Sequence, residues 1–140
     1  MGSSMNGTDP LVPLDYLNIN LALVNTGLFL ILFVWSVFLF QKPRVSRAFL
    51  VSSLVMYLFT GVAVLLHFYT VASGHQIPSG RSGGHLRYVI CQLLTVVAAH
   101  LLGAGKLTDP KVGSRFMWLI MLFGLGVAFE TARVYVVQLL

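Results

Sequence analysis

The chain has 140 residues, of which 57% are hydrophobic and 9% are charged, whereas a soluble globular domain carries about 25% charged residues. This composition excludes an ordinary water-soluble fold and indicates one membrane-embedded unit. The net charge of +5 would suggest nucleic-acid binding if the basic residues formed a soluble patch, but they lie mostly in two short loops. We therefore expect no nucleic-acid partner.

Four apolar stretches each approach the roughly 20 residues that a helix needs to cross a hydrocarbon core of about 30 Å. A segment rich in Gly, Ser, Pro and Asn, residues 1–16, comes before them and is expected to be exposed. The predicted spans are residues 17–40, 48–72, 86–105 and 116–140. Because lipid cannot satisfy open backbone groups and barrel-like alternation is missing, helices are favoured over strands. The sequence predicts an all-α integral membrane protein, with residues 17–140 forming an antiparallel four-helix bundle.

Basic residues concentrate in two loops that both follow odd-numbered spans. Loop 41–47 contains Lys42, Arg44 and Arg47, and loop 106–115 contains Lys106, Lys111 and Arg115. Cytoplasmic loops carry an excess of Lys and Arg. We therefore predict a multi-pass protein with both basic loops on the cytoplasmic side and both termini on the outer side.

The loop between the second and third spans is the longest connection, and we place His75 and His85 in it. A metal-binding pair is one interpretation, but histidines in a polar surface loop are usually bystanders, so the metal content stays open. The single Cys91 cannot form an intrachain disulfide, and no Cys/His set has the spacing of a structural zinc site. We interpret Cys91 as a small buried apolar residue.

Polar and small residues in the first three spans recur about every seven residues, so each helix has one polar seam. Polar side chains within membrane helices normally face the protein interior, and such seams are typical of a left-handed bundle. The seams are Asn18, Asn25 and Leu32 in the first span, Ser53, Thr60 and His67 in the second, and Gln92, Thr95, Ala99 and Gly103 in the third.

The fourth span has two distinct non-lipid faces. Gly124, Ala128 and Ala132 form a ladder of small residues suited to close helix packing. Glu130 and Arg133 lie on nearly the opposite face at about 100° per residue. We expect the bundle to pack on the first face and another subunit, or a second copy of the chain, to pack on the second.

The alternating helix directions bring five polar residues toward one level in the outer half of the membrane. This predicted intramembrane cluster consists of Asn25, His67, Gln92, Glu130 and Arg133. His100 falls nearer the inner surface, which argues against one haem shared by His67 and His100.

Each of these residues has a structural and a functional interpretation. Glu130 and Arg133 form an internal ion pair, or Glu130 carries a proton or cation and Arg133 holds an anionic group. His67 and His100 are packed, hydrogen-bonded side chains, or they are ligands of a metal or tetrapyrrole. Residues 63–67, AVLLH, resemble the A-x-x-x-H element of bacterial light-harvesting helices over five residues, and we carry no function over from it.

The sequence shows no glycine-rich phosphate loop, HExxH motif or plausible Ser/His/Asp set, and no span contains the lysine of a retinal Schiff base. Catalysis is therefore not expected. The leading hypothesis is an accessory or structural subunit of a larger membrane complex or homo-oligomer, in contact with lipids and with other membrane subunits or itself. One alternative is binding of haem b, a chlorophyll-type pigment or a quinone through His67 or His100. Another is a proton-coupled carrier or channel that uses Glu130.

Overall fold

The computed structural model describes residues 11–137, which contain four α-helices and the short loops that join them. The helices are α1 (Pro13–Phe38), α2 (Arg47–Ala72), α3 (Ser82–Gly103) and α4 (Pro110–Val136). Each helix is long and apolar enough to cross a membrane. The predicted all-α class and four helices of membrane-spanning length and hydropathy are therefore confirmed.

The helices begin earlier than the hydropathy of the sequence suggests, and polar side-chain caps mark the starts of α2 and α4. Pro13 and Pro110 occupy first-turn positions, where a missing N–H costs nothing. The side chain of Asp109 accepts a hydrogen bond from the Lys111 amide at 2.9 Å, and Ser46 accepts one from the Phe49 amide at 3.2 Å. The third helix begins at Ser82 rather than at residue 86. Residues 1–10 and 138–140, which belong to the predicted exposed segment and fourth span, lie outside the described range.

The four helices form a ring in which each packs against two neighbours. Helix α1 contacts α2 and α4, and α3 contacts α2 and α4. Buried positions in α1 and α2 alternate in steps of three and four residues, the spacing of helices that cross at a shallow left-handed angle. The residues of the three predicted seams are all buried, whereas large apolar side chains cover the outer surface.

The two ends of the bundle have different chemistry. At the Asp15 end, the start of α1 meets the loop after α2 and the end of α4, through hydrogen bonds of Asp15 with His75 and Tyr135. At the basic end, the hydroxyl of Ser114 in α4 donates to the Lys42 carbonyl at 2.6 Å, which joins the two basic loop regions. An apolar core of Phe, Leu, Val, Met and Ala side chains fills the interior toward the basic end.

Candidate functional site

The middle of the bundle contains a hydrogen-bonded chain that crosses three helices. Asn25 in α1 donates through Nδ2 to Gln92 Oε1 in α3 at 3.3 Å, and Gln92 Nε2 donates to Thr131 Oγ1 in α4 at 2.7 Å. The Thr131 hydroxyl donates onward to the Val127 carbonyl, so every bond runs in one direction. Asn25 and Gln92 are fully buried. The Oδ1 atom of Asn25, at the head of the chain, is buried without a partner.

Closer to the Asp15 end, two buried histidines contact each other. The Nδ1 atoms of His67 in α2 and His85 in α3 lie 2.7 Å apart, and the rings stack with centroids 5.0 Å apart. The two side chains are 3% and 1% exposed. Because a hydrogen bond needs one donor and one acceptor, one Nδ1 carries a proton and the other does not. The pair thus links α2 to α3 through complementary tautomers.

A third group of polar side chains closes the Asp15 end. Asp15 Oδ1 accepts hydrogen bonds from His75 Nε2 and from the Tyr135 hydroxyl, both at 2.7 Å. The Tyr135 ring also packs edge-on against His85, which connects this group to the histidine pair. Asn18 donates to Thr70 Oγ1 at 2.9 Å and joins α1 to α2 beside it. These contacts make the Asp15 end the most polar part of the interior.

Glu130 and Arg133 bind each other on the outer side of α4. Arg133 donates through Nε and Nη2 to the Glu130 carboxylate, with distances of 2.6 to 3.0 Å. The side chains are 34% and 29% exposed, so the pair does not lie in the interior. Glu130 could take up a proton only by giving up hydrogen bonds to Arg133. This arrangement counts against the hypothesis that Glu130 is a proton carrier.

The five residues of the predicted cluster are therefore divided among three places. Asn25 and Gln92 bind each other directly, His67 binds His85, and the Glu130–Arg133 pair lies outside the bundle. The structure differs from the predicted single cluster because the position of a residue in a helix gives its depth and face only to within one turn. Which side chains form hydrogen bonds with each other depends on their length and on how the helices pack.

His100 lies far from the histidine pair, near the basic end of α3, and has a defined orientation. Its Nδ1 atom is 2.6 Å from Ser53 Oγ in α2. The single hydroxyl proton of Ser53 is donated to the Leu50 carbonyl, so His100 Nδ1 is the donor to Ser53. In the neutral ring this assigns the lone pair to Nε2.

The small residues of α4 pack inside the bundle. A Cβ atom on Gly124 would overlap the ring of Phe29 in α1, and Ala128 and Ala132 are buried. The small side chains thus let α4 approach α1 closely. Among residues 11–137, no group of three or more His, Cys, Asp or Glu side chains is arranged to hold a metal ion.

The interior polar residues that the sequence did not predict include His85, Thr131 and Tyr135. The predicted start of the third span at residue 86 puts His85 in the loop, yet it lies on α3, seven residues before Gln92, and shares its face. Thr131 and Tyr135 continue the buried face of Gly124 and Ala128 at intervals of three and four residues. The seven-residue spacing of His85 from Gln92, of Thr131 from Gly124 and of Tyr135 from Ala128 was the sequence pattern that could have predicted their burial.

Comparison of the chain with protein-family models, curated proteins and solved structures finds no match. What can be said of function therefore comes from the geometry of the four helices and their polar side chains.

Proposed function

We propose that this chain is an accessory or structural subunit of a larger membrane assembly, with another membrane subunit or a second copy of itself as partner. The four helices run antiparallel, the basic loops 41–47 and 106–115 face the cytoplasm, and both termini lie on the outer side. The charge of these loops supports this orientation. The hydrogen bond between Ser114 and Lys42 supports it as well, since it keeps the two basic regions at one end.

The outward face of α2 carries the proposal. Tyr57 is 46% exposed and lies ten residues after Arg47, the start of α2. Ten residues correspond to about 15 Å, half of a hydrocarbon core of about 30 Å. A tyrosine normally places its hydroxyl at the membrane interface, where water can bind it. At mid-depth the hydroxyl needs a polar partner, which another protein can supply and lipid chains cannot.

Gly61, one turn after Tyr57, gives that partner room to approach. A Cβ atom at Gly61 would meet nothing within 4 Å, so the position is open on the outside of the bundle. Small residues at such positions let two membrane helices pack closely, and a hydrogen bond between them adds to the contact. The polar interior supports the same role, because its side chains bind one another and hold the four helices together.

We expect the protein, purified from its native membrane in mild detergent, to occur in a particle heavier than one 15.4 kDa chain. Tyr57→Phe should lower the assembled fraction about threefold, the effect of an average interhelical hydrogen bond, and Gly61→Leu should abolish assembly by steric exclusion. Light scattering and crosslinking measure both. Tyr69→Phe, the same change at an exposed site near the end of α2, is the matched control. A wild-type particle of a single chain with no associated protein would refute the proposal.

A second candidate function is binding of haem b, a chlorophyll-type pigment or a quinone, and the orientation of His100 favours it. A histidine that ligates a metal usually donates its other ring nitrogen to a neighbouring oxygen, which fixes the tautomer. His100 has this arrangement through Ser53, with Nε2 free to bind. The tautomer of His67 is not fixed in this way, because either Nδ1 of the His67–His85 pair can be the donor, and the His67 side chain is only 3% exposed. Of the two predicted ligands, His100 is thus the better suited.

The absorption spectrum of the purified protein tests this second candidate. If a pigment is bound, His100→Leu should remove it, and Ser53→Ala should weaken binding about 10- to 100-fold, the usual effect of losing an orienting partner. His75→Leu, a change near the opposite end of the bundle, should leave the spectrum unchanged. A colourless preparation made in the presence of haem would eliminate the haem version.

A further inference from the structure

A shallow apolar groove runs along the outside of the bundle where α3 and α4 meet. Its volume is about 420 Å³, and its lining includes Cys91, Thr95 and Ala98 from α3 and Leu119 and Phe123 from α4. Leu94 of α3 and Ile120 of α4 complete the lining. A groove of this size is in the range of ligand sites, about 300 to 1,000 Å³.

The same two helices carry charged groups nearer the Asp15 end. Glu130 lies seven residues after Phe123 in α4 and Gly84 lies seven residues before Cys91 in α3, a separation of about 10 Å along each helix. A Cβ atom at Gly84 would lie 3.4 Å from Val134 and 3.7 Å from Nη2 of Arg81. The Arg81 guanidinium therefore lies over Gly84, at the line where α3 meets α4.

Arg81 is the unsatisfied member of this charged group. Its Nη1 atom is buried and has no hydrogen-bond partner, and within residues 11–137 its side chain is in no ion pair with a carboxylate. The carboxylate of Glu130, on the neighbouring helix α4, is held by Arg133. Two positive charges and one negative charge leave a net charge of +1 above the groove. A buried guanidinium donor without a partner is costly, and an anionic oxygen would satisfy it.

We propose that the α3–α4 groove binds one anionic membrane lipid, with a phosphate oxygen on Arg81 and an acyl chain along Cys91, Thr95 and Ala98. A phosphate offers the oxygens that a guanidinium binds best. The proposed headgroup contact lies near the ends of the helices, and the apolar groove lies deeper in the bundle. A phospholipid has the same arrangement, with its headgroup at the membrane surface and its acyl chains in the hydrocarbon core. The site is separate from the α2 face and does not depend on the proposed subunit role.

Native mass spectrometry of the full chain, with equimolar phosphatidylglycerol and phosphatidylcholine added in detergent, tests the proposal. We expect one retained lipid and at least a fivefold preference for phosphatidylglycerol, since one basic residue contributes about that factor at a membrane surface. Arg81→Gln should remove the preference, and Arg81→Lys should restore part of it. Arg87→Gln removes an equal charge from an exposed position six residues along the chain and should leave the preference intact.

Filling the groove tests the acyl-chain part of the site. Ala98→Phe places a large ring in the groove from an exposed position and should lower retention of both lipids at least fivefold. Ala48→Phe, the same change at an exposed site in α2, should not. Helical circular dichroism and a single gel-filtration peak show that each variant is folded. Equal retention of the two lipids by the wild type, or equal losses in Arg81→Gln and Arg87→Gln, would overturn the proposal. An Ala98→Phe variant that retains both lipids as the wild type does, and differs only in the mass of the protein assembly, would also overturn the proposal.

Discussion

Replacing Gly113 with alanine is expected to destabilise the fold more than the same change at any other helical glycine of residues 11–137. A Cβ atom at this position would lie 2.5 Å from the Leu102 carbonyl oxygen and 3.3 Å from the Gly103 Cα. These are backbone atoms, which cannot rotate away as a side chain can. The start of α4 must therefore move off the end of α3, and overpacking of this kind costs about 1 to 3 kcal/mol.

Thermal unfolding in detergent, followed by circular dichroism, measures this loss. Gly126→Ala is the matched control, because a Cβ atom there meets nothing within 4 Å, and we expect no loss of stability from it. Gly124→Ala should fall between the two, since the obstacle is the side-chain ring of Phe29. Equal melting temperatures for Gly113→Ala and Gly126→Ala would contradict the close contact of α3 with α4.

Replacing Gln92 with leucine is the second change with a large expected effect. Gln92 is the only link between Asn25 and Thr131 in the chain of hydrogen bonds that the described structure shows. Its loss leaves the Asn25 amide buried with neither polar atom paired, since Oδ1 has no partner already. An unpaired buried polar group costs about 1 to 3 kcal/mol. The Gln92→Leu variant in detergent should therefore unfold at a clearly lower temperature, or at a lower denaturant concentration, than the wild type.

A second substitution distinguishes the cost of leaving the Asn25 amide without a hydrogen-bond partner from the cost of changed packing around residue 92. Asn25→Leu removes the unpaired group, so the Asn25→Leu, Gln92→Leu double variant should be more stable than Gln92→Leu alone, a coupling that a double-mutant cycle quantifies. Gln76→Leu, at an exposed position in the loop after α2, controls for the loss of a glutamine. If the double variant is no more stable than the single one, the amide is not stranded.

The polar interior is concentrated where a membrane protein gains most from it. In lipid, apolar side chains do not drive helices together as they do in water, so close packing and interhelical hydrogen bonds must do more of the work. Bonds between helices through Asn18, Gln92, His67 and Ser53 join each helix to at least one other. The Phe- and Met-rich core supplies dense packing toward the basic end. Interhelical hydrogen bonds are most numerous toward the Asp15 end, whereas apolar packing predominates toward the basic end, beside the Ser53–His100 and Ser114–Lys42 bonds.

The sequence by itself determined the helical class, the four spans and the inward seams. These follow from local rules: a span must be apolar for about 20 residues, and polar positions must recur near every seventh residue to stay out of lipid. Asn25, Thr60 and Gln92 are each 0% exposed for this reason. The low charged fraction of 9% also favours a membrane-embedded unit.

The partners of the polar residues were decided only by the tertiary structure. The pairing of His67 with His85 depends on where α3 begins, and α3 begins at Ser82, four residues before the hydropathy limit. Asp15 joins Tyr135 across 120 positions of sequence, a contact that no local pattern encodes. Glu130 instead binds Arg133 one turn away on the same helix, because that opposite charge lies next to it on the outer side of α4. Depth and face are local properties of a helix, whereas the choice of partner is a property of how four helices pack.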